Sequence, residues 1–160
     1  MTDVVEIENF LSNDECNRLI EIHKKLFASQ GWLHNETEVL DCMFMLPSQS
    51  EDDIFGRYIH GKITEHIKAI DKSSFINFFQ IVRWKEGLFM PSHFDFDFHT
   101  WTSVIYLNDE YKGGETVVGE KEVAPLKGKI VTFQGVSVLH SVNAISQGDR
   151  YTVPVWYRSA

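Results

Sequence analysis

The stretch HFDFDFHTWTSVIYL, His93–Leu107, decides how the rest of the chain is read. Its first seven residues set His93, Asp95, Asp97 and His99 at every second position with a phenylalanine between each pair. On a strand, residues two apart share a face, so the polar four would line one side and Phe94, Phe96 and Phe98 the other. Same-face neighbours have Cα atoms about 6.5–7 Å apart, close enough for one histidine and one aspartate to converge on an ion. A third ligand must then come from another strand. Because a strand rises about 3.3 Å per residue, His99 would sit roughly 20 Å from His93. Asp97 and His99 are therefore expected on a polar rim rather than at an ion.

The same texture continues on both sides of this stretch. FFQIVRW (78–84), GETVV (114–118), KIVTFQ (129–134), SVLHSV (137–142) and YTVPVWY (151–157) are short β-branched and aromatic runs. The turn triplets Lys85-Glu86-Gly87, Lys112-Gly113-Gly114, Leu126-Lys127-Gly128 and Gln147-Gly148-Asp149 punctuate them. Pro154 cannot donate to a ladder, which predicts an edge or a bulge in the last run. Upstream the period changes to that of a helix. Ser12 and Glu15 form a capping box ahead of an apolar stripe of Cys16, Leu19, Ile20, His23, Leu26 and Phe27. His23 belongs to that stripe and reads as a core residue. A second helix is expected over Glu51–Ile70, where Phe55, Ile59, Ile63, Ile67 and Ile70 recur, despite Gly56 and Gly61. The region 29–44 is expected to pair with the sheet as a strand, with His34 solvated.

These patterns predict a mainly β, overall α+β fold: a jelly roll, or double-stranded β-helix, with two N-terminal α-helices packed on the sheet. A chain of 160 residues suits one domain, with helical support over about 12–71 and a β core over about 75–158. Hydrophobic residues make up 43% and charged residues 24%, as in a soluble globular protein. The net charge of -8 argues against nucleic-acid and anionic-membrane partners. Cys16 and Cys42 form no C-x-x-C pair, and MTDVVEIENF has neither a basic nor an apolar leader segment, so a cytoplasmic location is expected.

His140 interrupts the apolar run SVLHSV and is the best remote partner for His93 and Asp95. Two imidazoles and one carboxylate make the facial set that suits iron(II) and leaves positions open for chemistry. Arg150 shares a face with Thr152 and Trp156, where a lone guanidinium is costly unless it meets an anion. Periodicity leaves Trp101 open between core and cavity.

Between about Phe78 and Tyr157 the ordered series QIVRWKEG, HFD, SVIYLND, GGET, VAPLKGKIVTF, LHSV and GDRYTVPVWY resembles the 2-oxoglutarate and iron(II)-dependent oxygenases, in their prolyl hydroxylase branch. The resemblance implies that His93, Asp95 and His140 are iron ligands and that Arg150 meets the distal carboxylate of 2-oxoglutarate. It implies that Tyr106 reaches the same carboxylate, and that Thr116, Val142 and Trp156 line the cosubstrate pocket. Trp84 and Met90 stand where the family usually has tyrosine, so a phenol is lost at Met90. The implied cofactors are Fe(II), 2-oxoglutarate and O2, with ascorbate as a further one. The implied reaction hydroxylates a prolyl residue of a peptide or protein and releases succinate and CO2. A free amino acid or small-molecule hydroxylase, and a non-catalytic 2-oxoglutarate-binding sensor, are the competing readings.

Overall fold

The computed structural model describes residues 4–42 and 50–160. Strand β1 (Val5–Ile7) precedes helix α1 (Asn13–Gln30), the hairpin strands β2 (Trp32–His34) and β3 (Thr37–Asp41), and helix α2 (Glu51–Ile70). The β core follows as β4 (Ser74–Trp84), β5 (Met90–His93), β6 (Thr102–Tyr106), β7 (Lys112–Gly113), β8 (Thr116–Val118), β9 (Lys121–Val123), β10 (Ile130–Phe133), β11 (His140–Val142), β12 (Ile145–Gln147) and β13 (Arg150–Ser159). Among the described residues no helix is long and apolar enough to cross a membrane.

Both helices begin where their caps place them. Ser12 Oγ accepts from the Glu15 amide at 3.1 Å while Glu15 Oε1 accepts from the Ser12 amide at 2.8 Å, satisfying two amides that the first turn leaves free. Ser50 Oγ accepts from the Asp53 amide at 3.2 Å, and Glu51, Asp52 and Asp53 put negative charge at the positive end of α2.

A seven-stranded sheet runs β1-β10-β6-β13-β4-β3-β2, a four-stranded sheet runs β5-β11-β8-β9, and β12 pairs with β7. All the pairings are antiparallel. Period-two alternation sorts the large sheet's side chains between two environments. Phe79, Ile81, Ile105, Ile130, Tyr151, Val153, Val155 and Tyr157 pack against Leu19, Ile59, Ile63 and Ile67 of the helices. Phe78, Gln80, Val82 and Trp84 of β4 and Arg150, Thr152, Pro154 and Trp156 of β13 face a cavity bounded on its other side by the smaller sheet. This is the jelly roll with two helices on its outer face that the sequence pattern predicts. The polar groups in the helix–sheet layer are satisfied: His66 Nε2 lies 2.7 Å from Thr132 Oγ1, and Ser103 Oγ links Thr132 Oγ1 at 2.6 Å to the Tyr157 hydroxyl at 2.8 Å. His23 is buried as expected, its Nε2 donating to the Glu38 carbonyl at 2.8 Å.

Three expectations are corrected. The strand that opens at Met90 ends at His93, and residues 94–101 form a loop closed by an amide bond from His99 to the Phe96 carbonyl at 3.0 Å. The alternation therefore stops at His93. His99 does not sit on a polar rim; it folds back to 4% exposure, its ring 4.5 Å from that of Phe98 and 5.9 Å from that of Phe78, whereas Phe94, Phe96 and Phe98 are exposed. Asp97 is exposed, as a rim residue is. Pro154 lies in a strand flanked by β6 and β4, not at an edge. Pairing to β4 skips from Thr152↔Val82 to Val155↔Phe79 around the missing N–H, and the register shift comes after Trp156. Trp101 packs on the helix side, where its Nε1 donates to Asp71 Oδ2 at 3.1 Å. The hairpin β2–β3 joins the large sheet as expected, β3 pairing with β4, with His34 exposed, and Met43 and Phe44 lie outside the described residues.

Ile63 is fully buried between α2 and the sheet. Ile63→Ala is expected to cost about 3 kcal/mol, from lost transfer energy plus the cavity left behind, read as a lower urea midpoint.

Candidate functional site

Two short strands bring together residues that are far apart in the chain. The ladder between β5 and β11 sets His140 directly opposite His93, and a register shift follows between His140 and Val142. The two imidazoles stand with centroids 4.3 Å apart. Asp95 lies just past the end of β5, where its amide donates to the Gly135 carbonyl at 3.0 Å and turns the carboxylate toward both rings. Asp95 Oδ1 is 3.2 Å from His140 Nε2 and 3.7 Å from His93 Nε2, and one donor atom from each residue lies within 4.8 Å of the others.

The surroundings fit this trio to a cation. Each histidine gives its Nδ1 proton to a backbone carbonyl, His93 to Pro91 and His140 to Val138, both at 2.9 Å. Those bonds select the tautomer whose Nε2 lone pair points at the shared space, the usual way a protein presents imidazole to a metal. Asp95 Oδ2 accepts from Thr102 Oγ1, so Oδ1 is the carboxylate oxygen that could ligate a cation. At Gly135 a Cβ would collide with the Asp95 carboxylate and stand 2.7 Å from Thr102 Oγ1, so only glycine leaves the space that the carboxylate occupies. A donor set of two nitrogens and one carboxylate oxygen on one side of an ion suits iron(II) among the common metals.

Burial opposes ionisation of Asp95, but hydrogen bonds from His140 and Thr102 and the charges of both histidines outweigh it and hold the carboxyl below its ordinary range. Burial likewise opposes protonation of His140, and its bonds to Asp95 and to the Val138 carbonyl reverse that, raising it above the ordinary imidazole value. A cation bound by both groups would compete with a proton for His140.

A cavity of about 370 Å³ runs from this trio to Arg150. Arg150 is 2% exposed, and among the described residues it pairs with no carboxylate. Its Nη2 donates to Thr116 Oγ1 at 3.0 Å, and Thr116 Oγ1 also accepts from the Tyr106 hydroxyl at 2.7 Å. The guanidinium carbon lies 5.1 Å from the Trp84 ring centroid and 5.7 Å from that of Tyr106. A desolvated cation held by one hydroxyl and two ring faces lacks an anion, and its planar fork fits a carboxylate.

The structure thus gathers His93, Asp95 and His140 at one end of the cavity, and Arg150, Thr116, Trp84, Met90, Val142 and Trp156 along the same space. Tyr106 is fully buried behind the lining and reaches the space through Thr116. Sequence reasoning missed Thr102, Gly135 and Phe133, whose ring meets His140 edge-on at 4.9 Å. Their letters carry no spacing rule; only the glycine in FQGVS, between two apolar runs, signals a close approach.

Residues 79–158 match the family model described as the 2OG-Fe(II) oxygenase superfamily. Prolyl 3-hydroxylase 2 of Rattus norvegicus is 28% identical over 82 residues, covering 46% of this chain and 11% of that protein. The Arabidopsis thaliana protein named "Probable prolyl 4-hydroxylase 11" is 29% identical over 141 residues, 76% of this chain and 49% of that protein. The matches thus span less than half the length of these two relatives. A prolyl hydroxylase from Trichoplax adhaerens, solved in complex with a hypoxia inducible factor oxygen degradation domain peptide fragment, superposes with a TM-score of 0.80. It is 15% identical, with 98% of this chain and 83% of that chain covered, and so bears on the fold alone.

Two outcomes follow for metal binding, both read by calorimetric titration with Mn(II). Gly135→Ala should weaken binding by about tenfold or more while the helices and sheets persist by circular dichroism, because the Asp95 carboxylate must move. Affinity in the unaltered protein should rise as pH is raised through the elevated His140 range, with proton release on binding that fades above it.

Proposed function

The chain belongs to the 2OG-Fe(II) oxygenase superfamily, and from that premise we propose that it hydroxylates prolyl residues of a peptide or protein. The observation that carries the reading is a cavity with two imidazoles and a carboxylate at one end and, at the other, a buried guanidinium without a carboxylate partner among the described residues. The prolyl hydroxylases among its relatives support the substrate class.

In this reading His93, Asp95 and His140 would hold iron(II), the donor set that suits it. With 2-oxoglutarate and O2, the bound iron supplies the oxidation that adds a hydroxyl to substrate and releases succinate and CO2. The chain's own residues bind, orient and exclude water. Arg150 takes the distal carboxylate of 2-oxoglutarate, with Thr116 fixing Nη2 and Tyr106 fixing Thr116. The Thr102 hydroxyl holds Asp95 Oδ2, so Oδ1 would be left for the iron. Val82, Val142 and Phe133 give the cavity an apolar wall that keeps water from the oxidant. Phe78, Phe96 and Trp156 lie on the same lining and offer ring faces to a pyrrolidine.

The test is succinate release and a one-oxygen mass gain from proline-containing peptides, run beside free amino acids. Turnover with peptides supports the proposal; turnover with free amino acids alone overturns the peptide assignment. Arg150→Ala should retain Mn(II) affinity yet weaken 2-oxoglutarate binding by about a hundredfold, the scale for losing a buried ion pair with its hydrogen bonds. His140→Ala should abolish metal binding and turnover together.

A further inference from the structure

Two side chains packed close to Gly114 each carry a buried polar atom without a partner among the described residues. Among the described residues the Tyr111 hydroxyl and Arg150 Nε have no hydrogen-bond partner, although Tyr111 is 8% exposed and Arg150 is 2% exposed. Gly114 packs against both side chains. A Cβ there would be 3.0 Å from Tyr111 Cε2, on the hydroxyl-bearing half of the ring, and 3.1 Å from Arg150 Cδ, the carbon that carries Nε. Gly114 also has a φ of +68°, so a side chain would be strained as well as crowded. The missing Cβ lets the phenol and the guanidinium stem approach each other.

A buried N–H and a buried O–H each left unpaired cost free energy, and native proteins seldom keep two side by side without a use. Burial pushes the Tyr111 phenol up, and the positive charge of Arg150 draws it partly back. As a neutral phenol its oxygen can accept from Nε while its proton remains to donate. Arg150 already spends one N–H on Thr116. Closing the Nε bond would fix the roll of the guanidinium plane about its stem and leave the remaining N–H groups to face the cavity as a fork.

We propose that Tyr111 is a positioning residue for Arg150, accepting the Nε–H so that the guanidinium meets the distal carboxylate of a 2-oxo dicarboxylate squarely. The inference rests on the cosubstrate reading above. It also gives a physical role to a phenol on the loop between β6 and β7, in a chain that carries methionine at position 90 where a phenol is usual for its family.

The experiment compares two ligands on the Mn(II)-loaded protein without O2, by calorimetry. 2-Oxoglutarate has the distal carboxylate, whereas oxalate chelates metal and lacks it. Tyr111→Phe keeps the ring that packs against Gly114 and removes only the hydroxyl. It should weaken 2-oxoglutarate binding roughly tenfold, the size of one hydrogen bond to a charged group, and leave oxalate within about twofold. Unchanged affinity for both ligands overturns the proposal, and so does an equal loss for both, since general loosening of the pocket does not distinguish them. If the unaltered protein binds oxalate but not 2-oxoglutarate, the cosubstrate reading falls and this inference falls with it. If it binds both and Tyr111→Phe matches it, only the role of Tyr111 is overturned.

Discussion

The pairing of β5 with β11 is the constraint on which the site depends. These strands have four and three residues, yet their register puts His140 across from His93 and closes a gap that the sequence leaves wide. A one-residue slip would turn one imidazole to the opposite face, so the ladder cannot be shifted without losing the pair. The strands are too short to hold register by themselves. Gly135 supports them by receiving the Asp95 amide and by having no side chain, and β8 supports them by pairing with β11 at His140↔Val118.

Stability and chemistry meet on β13. Tyr151, Val153, Val155 and Tyr157 bury themselves under the helices, and Arg150, Thr152, Pro154 and Trp156 face the cavity. The apolar face anchors the strand between β4 and β6, and that anchoring holds Arg150 still with no salt bridge to do so. A buried guanidinium in a pliable wall would swing toward water or toward the nearest carboxylate. Here the helix–sheet core supplies the rigidity, which is why the two N-terminal helices matter to a site they do not touch.

Much of this was legible in the sequence because the signals were local or periodic. The capping box at Ser12, the stripe from Phe55 to Ile70, the glycine turns and the alternation in YTVPVWY each follow from a few neighbouring residues. HFDFDFH misled because alternation alone does not say where a strand stops. The chain leaves the ladder at His93, and a turn that buries His99 exposes three phenylalanines instead. Pro154 misled for a related reason: a central strand tolerates a missing N–H when the ladder skips that position. Gly135, Thr102 and Tyr111 were illegible because what they do depends on contacts across the fold. No spacing rule tells a turn glycine from one whose missing Cβ makes room for a carboxylate.

Charge balance links the two ends of the cavity. Neutral imidazoles add nothing to the charge of a bound divalent cation, and Asp95 cancels one unit, so that end would carry a single positive charge. Arg150 carries another at the far end, with no carboxylate against it among the described residues. A metal-chelating dicarboxylate brings two negative charges, one for each end, and makes the filled cavity neutral. A monocarboxylate would leave the guanidinium buried and unpaired, the arrangement low-dielectric interiors penalise most. A cavity charged in this way would favour a dianion with its carboxylates at opposite ends over a monocarboxylate.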